Sequence, residues 1–368
     1  MTGQTVISIG AGAGQAPLIR AARNAGFQVV GIDRDDAPAA RAWLARHIRH
    51  STHDADGAVL AAQVACGDGI SVRAVLARAS GPAVVTAARV AEVMGVHGVS
   101  MAFARASLSK SVLREQAAAL GIAVPVGVVV ARPTPPNLPR PWVVKPDQPV
   151  VGKKNVRLVR DADAFPPAFE AARGESVNGL VEVETYIDGV DVGYGALMRD
   201  GCVVRDLLYD EYTLFHDGRA AGLGVGAPSR LAGGELENRA RAAAQTLFGA
   251  WGMANGFAFL TFRVDRTGGL HVYEANPGLC GDQIADRLLP CVWPGFDPFA
   301  AEVAALTGRE LAPSPVSVPA FCAVLTGRDQ PVRDVAELGR ALASMDGGAA
   351  WLATMEEVCG GVGEGPAP

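Results

Sequence analysis

The start of the chain constrains its fold more than any other stretch. Residues 5–9 form a short β-branched run, Gly10, Gly12 and Gly14 follow at alternate positions, and a helical stretch runs over 15–25. A buried strand that passes through a glycine turn into a helix is the opening of a parallel α/β layer, since the helix carries the chain back toward the start of a next parallel strand. A second apolar run over 27–33 ends in Asp33, and further runs at 72–77 and 83–86 alternate with helical segments. Residues 1–105 are therefore predicted to form a Rossmann-like parallel α/β domain.

The glycine spacing is GxGxG, not the GxGxxG of a dinucleotide-binding turn, although Asp33 stands where an acidic residue could hold a ribose hydroxyl. In the other reading the glycines only sharpen the turn, and Asp33 caps a helix starting near Pro38. These residues alone leave both open.

Downstream, a helix is expected over 107–121, closed by Gly121, then a strand over 122–130. The proline-rich stretch 132–141 excludes a helix and marks a junction. Strands are expected at 142–145, 156–159, 180–187, 192–198 and 202–208, a helix at 234–248, a hairpin pairing 257–264 with 270–274, and a helix at 299–306. The boundaries that result are 106–190 and 191–310 for two further units, 311–357 for a small α+β extension, and 358–368 for a Gly- and Pro-rich tail expected to be disordered.

Composition closes off several functions. The 368 residues carry 33 Lys and Arg against 38 Asp and Glu, and a charged share of 19% is below the ~25% of ordinary globular chains, so no nucleic-acid partner is expected. No run approaches the ~20 apolar residues of a membrane helix, and with no basic region or small-residue cleavage site before Thr5 no signal peptide is expected; a cytoplasmic protein without a membrane partner is expected. The six cysteines are scattered without a CxxC pair, which predicts reduced thiols and no zinc site.

Four stretches suit phosphate chemistry. Lys145 ends the apolar strand Trp142-Val-Val-Lys145-Pro146, where an ammonium is costly without an anion beside it. Gly152 with Lys153 and Lys154 turns into the next strand, and either covers a triphosphate or is a solvated hairpin. Glu184 and Asp191 flank a turn containing Tyr186 and Ile187; backbone groups there could meet an adenine edge, while acidic strand ends are also common solvated features. Glu274 and Asn276 lie two apart on one strand face, giving two oxygen donors for a hard cation, or else Asn276 only turns the chain before Pro277.

Taken in order, these stretches resemble the ATP-grasp superfamily over residues 5–310. Ser109-Lys110, Arg114 and Gly121-Ile-Ala-Val-Pro125 are similar to its first lysine helix, Val143-Val-Lys145-Pro146 to its second lysine strand, Glu184-x-Tyr186-Ile187-x-Gly189-x-Asp191 to its nucleoside hinge, and Glu274-x-Asn276-Pro277 to its metal pair. The resemblance implies a fold of α/β and α+β parts, the Rossmann-like domain being followed by a two-part ATP-grasp fold. It implies ATP and Mg²⁺, with Mn²⁺ able to substitute, small-molecule carboxylate and amine substrates, and at family level a homodimer. The reaction implied is ATP-dependent ligation through an acylphosphate, releasing ADP and phosphate. A different acceptor, as in a carboxylase or small-molecule kinase, and a nucleotide-binding module with weakened catalysis are the alternatives. Lys110, Lys145, Lys153 and Lys154 would face phosphates, Glu184, Tyr186, Ile187 and Asp191 the nucleoside, and Glu274 and Asn276 the metal.

The chain departs from the family pattern in several places. Ser109 stands where Asp is usual. If the hairpin turn centres between Thr267 and Gly268, Thr261 lies opposite Glu274, where a carboxylate is common; Asp282 is a candidate to replace it. Gly278 stands in place of a frequent arginine, and Arg263, on the strand face of Thr261, is expected to take over that catalytic charge. The phosphate-covering loop bears lysines in place of glycines. Asp210, Glu211, His216 and Asp217 are expected in a solvated loop unless they receive an ammonium group, and Cys280 is expected to be a small buried thiol.

Overall fold

In a computed structural model, residues 4–67, 70–150, 154–216, 218–279, 284–313 and 315–323 are described. The opening run forms β1 (Thr5–Ile9), buried along its whole length. With β2 (Gln28–Asp33), β3 (Arg46–Arg49) and β4 (Val72–Leu76) it makes a parallel sheet in the order β3-β2-β1-β4. Helix α1 (Ala16–Asn24) covers one face, packing Leu18, Ile19 and Ala22 against Val6 and Val29. Helices α2 (Ala55–Cys66) and α3 (Pro82–Met94) cover the other, against Ile7, Ile9 and Val30. Two-sided cover explains the unbroken apolar run of a central parallel strand.

Two expectations fail in this domain. The run at 83–86 is part of α3: Gly81 (φ 66°) and Pro82 start a helix there, and Ala83, Val84, Ala87, Ala88 and Ala91 are buried at helical spacing. The remaining strand is instead the Arg-His-Ile-Arg of β3, an edge strand whose exposed arginines hid it from a hydrophobicity reading. Asp33 does not cap a helix near Pro38, where a short 3₁₀ turn at Arg41–Trp43 has no side-chain cap. Its carboxylate accepts the N–H groups of Ala11 (2.6 Å) and Asp35 (3.0 Å), fastening the glycine turn.

The helix expected over 107–121 is two helices, α4 (Met101–Leu108) and α5 (Lys110–Ala119), parted at Ser109, whose backbone is extended (φ −109°, ψ 119°). The strand expected over 122–130 is reduced to β5 (Gly127–Val130); Pro125, which lacks an N–H, lies in the excluded part. β6 (Trp142–Pro146), β7 (Arg157–Val159) and β8 (Val181–Thr185) complete an antiparallel sheet in the order β7-β6-β8-β5. Helix α6 (Phe165–Arg173) closes one face over Trp142, Val144, Val181 and Val183, and Lys145, Glu182 and Glu184 are left for the other.

The third sheet runs β13-β12-β9-β10-β11, built from β9 (Gly189–Arg199), β10 (Cys202–His216), β11 (Arg219–Ala227), β12 (Gly256–Asp265) and β13 (Leu270–Pro277), with β14 (Ala320–Ala323) added beside β11. One face packs on α4, α5 and α7 (Glu235–Ala250). The other packs through Phe257 and Phe259 on α8 (Leu289–Val292) and α9 (Pro298–Thr307), and so on the first domain. The two antiparallel sheets join where β7 pairs with β11 at Arg157 and Arg219, with the Leu158 N–H donating to Gly218 O and the Ala220 N–H to Val156 O.

β10 continues well past the expected end at 208, so Asp210 and Glu211 are buried strand residues, not a solvated loop. Asp217, Lys153, Cys280, Asp282, most of the 311–357 extension and the 358–368 tail lie outside the described residues. Among those described, no helix is long and apolar enough to cross a membrane.

Candidate active site

The β12–β13 hairpin sets the centre of the site. At its turn, Asp265 accepts the Thr267 and Gly269 N–H groups (each 2.8 Å), the Thr267 hydroxyl (2.7 Å) and His271 Nε2 (2.9 Å). Burial pushes that carboxyl up, but these donors outweigh it and hold it well below the usual carboxylate range. Thr261 does face Glu274, and Phe259 faces Asn276. Toward the turn, however, Phe262 pairs with Val272, which leaves Tyr273 as an extra residue in β13. This β-bulge lets two consecutive side chains, Tyr273 and Glu274, both enter one cavity while Val272 and Ala275 stay in the core.

From α5, the Lys110 ammonium lies 3.5 Å from Glu274 Oε1. From β6, Lys145 is 5% exposed, with its Nζ 2.7 Å from Glu184 Oε2 and 5.7 Å from the centre of the Tyr273 ring. Beneath this pair Glu182 is fully buried and bonded to Arg114. Burial raises the Glu182 carboxyl above its ordinary value; Glu184 adds to the rise, and Arg114 and Lys145 oppose it.

Arg263 organises the hinge. Its guanidinium donates to Ile187 O (2.9 Å), Asp191 Oδ1 (3.0 Å) and the Tyr186 hydroxyl (3.0 Å), and it stacks 5.3 Å from the Tyr186 ring centre. Burial disfavours its charge, yet Asp191 and Tyr186 more than restore it. Phe215 meets Tyr186 edge-on, with ring centres 6.0 Å apart.

Of the residues singled out from sequence, Lys110, Lys145, Lys154, Glu184, Tyr186, Ile187, Asp191, Arg263 and Glu274 all line this one cavity. Lys154 sits at its rim, paired with Glu175 at 2.7 Å. Asn276 is one step further along β13, on the Glu274 face but beyond the lining. The cavity is lined by apolar Val143, Val156, Ile187 and Phe215 as well as by the lysines and Glu274. Such a lining, apolar surface with a few charged groups, suits a ligand that carries both a flat ring and a polyanion.

Two departures acquire physical causes. Thr261 is buried and donates to Glu211 Oε1 at 3.1 Å, bringing a carboxylate from β10 beside the position. Gly278 has φ 74°, and a Cβ there would sit 3.1 Å from Ala77 O, so an arginine at this place meets both backbone strain and the first domain. Among the described residues no cluster of three or more His, Cys, Asp or Glu could hold a metal unaided. The oxygen donors of Glu274 and Asn276, without sulfur or imidazole, nevertheless suit Mg²⁺, which keeps waters and phosphate oxygens as its other ligands.

Sequence reasoning missed Tyr273, Phe215 and Asp147, and it placed Glu211 in a loop where the chain forms a buried strand. Tyr273, Phe215 and the placement of Glu211 depend on a bulge and on strand lengths that no local pattern announces. Asp147 adjoins the lysine strand, and its proximity to Lys145 was the available signal.

A Rossmann-like domain followed by two antiparallel sheets that enclose such a cavity is the ATP-grasp fold. Among solved structures the chain is similar to an N5-carboxyaminoimidazole synthetase from Staphylococcus aureus complexed with ADP, with a TM-score of 0.71 and 16% identity over 89% of this chain and 83% of that one. It is similar also to an L-amino acid ligase from Bacillus licheniformis (TM-score 0.68, 18% identity, 90% of this chain and 79% of that one). A phosphoribosylglycinamide synthetase from Anaerococcus prevotii gives a TM-score of 0.66 at 13% identity, over 89% of this chain and 82% of that one. No family model matches the sequence, and no curated protein does.

Proposed function

We propose that the chain is an ATP-dependent ligase that joins a small-molecule carboxylate to an amine through an acylphosphate, releasing ADP and phosphate. The observation that supports it above others is that Lys110, Lys145 and Glu274, from separate stretches of chain, line one cavity. In this reading the hinge around Tyr186 and Ile187, with Val143, Val156 and Phe215, takes the base, Asp191 takes the ribose, and Lys110 and Lys145 neutralise phosphate oxygens. Lys154 would reach the phosphates from the rim, with Lys153 beside it in sequence. Glu274 and Asn276 would hold Mg²⁺, which would supply positive charge to neutralise the phosphates. Phosphoryl transfer depends on positioning and charge neutralisation, so no covalent enzyme nucleophile is required. The Lys145–Glu184 contact gives the buried lysine a counter-charge within the protein itself. The likeness to an L-amino acid ligase and to a synthetase complexed with ADP agrees with this chemistry.

The test is ADP release over a panel of carboxylic acids with and without amines, followed by mass spectrometry of the product. Release that needs both substrates and yields an amide is expected. A stable phosphorylated product formed without amine would replace the ligase by a kinase, and NAD(P) binding without ATP binding would remove the nucleotide reading altogether. Thr261 in place of a carboxylate favours one further reading, a nucleotide-binding module with weakened catalysis; tight ATP binding with no ADP release across the panel is its signature.

A further inference from the structure

We infer that Asp147 is a positioning residue that holds Lys110 and Lys145 in a fixed relation, and so governs affinity for the phosphate part of the nucleotide. This rests on the nucleotide reading of the cavity proposed above.

The start of α5 poses the problem. The first N–H groups of a helix have no intrahelical partner, and Lys110 is the first residue of this one. Here each of the first three finds an acceptor. The Lys110 N–H donates to the backbone carbonyl of Asp147 (2.9 Å), the Ser111 N–H to Asp147 Oδ1 (2.9 Å), and the Val112 N–H to Ser109 Oγ (3.4 Å). The Ser109 hydroxyl itself lies 3.1 Å from both Asp147 oxygens. Asp147 thus serves the first turn through both its carbonyl and its carboxylate, and the positive end of α5 favours that negative charge.

The same residue ties down two more elements. It follows Lys145 by two positions in sequence, at the end of β6. Its Oδ2 accepts from Asn178 Nδ2 (2.7 Å), and its N–H donates to Leu180 O (3.2 Å), just ahead of the strand that carries Glu182 and Glu184. Asp147 is 1% exposed, and Lys145, Lys110 and Glu184 are cavity residues while Asp147 is not among the lining. It is therefore placed to act through the lysines and not by touching a ligand. With Ser109 supplying only a hydroxyl, the carboxylate at this helix start comes from the far side of the β6 turn.

Calorimetric titration of the full chain with ATP and, separately, with adenosine tests the inference in wild type, Asp147→Ala, Lys110→Met and the double variant. Loss of the cap should weaken ATP binding about tenfold while adenosine changes less than about twofold. In the Lys110→Met background the cost of Asp147→Ala should fall to about threefold or less, because one of the two positioned charges is already gone. Asn178→Ala, which removes one donor from an exposed turn, should weaken ATP binding in the same direction by a smaller factor. It decides the question if Asp147→Ala fails to fold by circular dichroism.

Equal weakening of ATP and adenosine would overturn the inference, as would an Asp147→Ala cost that is the same with and without Lys110. A wild type that binds no ATP sinks the reading of the cavity and this inference with it. A wild type that binds ATP, loses affinity in Lys110→Met and is indifferent to Asp147→Ala sinks the inference alone.

Discussion

Replacing Lys145 by Met should damage stability and catalysis by separable routes. The ammonium lies 2.7 Å from Glu184, and each side chain is 6% exposed. Removing one partner of such a pair strands the other charge away from water, at a cost of roughly 3–5 kcal/mol. The consequence spreads to fully buried Glu182, whose carboxyl Lys145 helps to hold down against burial and against Glu184. In a unit of ~150–250 residues each kcal/mol moves the melting temperature by about 2–4 °C, so Lys145→Met should melt about 10 °C below wild type. Lys145→Met with Glu184→Gln removes both charges and should recover most of that loss, to within about 1 kcal/mol. Neither variant should release ADP with acid and amine present. Differential scanning calorimetry at pH 7 beside a coupled ADP assay reads both effects. A single variant that melts like wild type, or a double variant that melts no higher than the single one, would refute the stability argument; undiminished ADP release by Lys145→Met would refute the role in catalysis.

Gly278→Ala should cost about 2 kcal/mol, since position 278 requires a positive φ and its Cβ would press on the Ala77 carbonyl. Gly278→Arg should be no more active than Gly278→Ala, and an unchanged melting temperature in the alanine variant would contradict the strain. Glu302 carries a pH signature: burial raises its carboxyl from 4.5 to about 8, with the Phe257 N–H opposing the rise. The folded chain therefore keeps a proton there that the unfolded chain has released, so stability is present below about pH 4.5, falls as pH rises toward 8, and levels off above; the full span is roughly 5 kcal/mol. Melting curves of wild type and Glu302→Gln between pH 5 and 8.5 should diverge through this window, and parallel curves would remove the argument.

The sequence was most legible where one local rule acts alone. β1 and its glycine turn, α7, α9 and the β12–β13 pairing at Thr261 and Glu274 follow from periodicity and turn chemistry. Reading failed where two influences compete. Ala83 to Thr86 suits a strand by composition, but Pro82 and the helical recurrence of buried positions beyond it decide for α3. The long helix split because Ser109 can close one helix and open another, a choice settled by the distant Asp147. At the site, Lys145 was visible because it ends an apolar strand and Glu274 because it shares a strand face with Asn276, whereas Lys110, the first residue of α5, was named only through the family resemblance. Arg263 was picked out for its strand face, but nothing local showed that Asp191, Tyr186 and Ile187 would gather around it. Asp210 and Glu211 look like loop residues in sequence and are buried only because β10 runs on to pair with β11.

The single extra residue in β13 also sets where this hairpin tolerates a change of length. Delete Tyr273, and the odd-even order on either side still sends Val272 inward and Glu274 outward, so only the ring beneath Lys145 is lost. Insert one residue between Glu274 and Asn276 instead, and Asn276 is turned toward the side of Leu260 and Ala275. The aromatic floor of the cavity is thus a detachable module, whereas the spacing from Glu274 to Asn276 admits no edit.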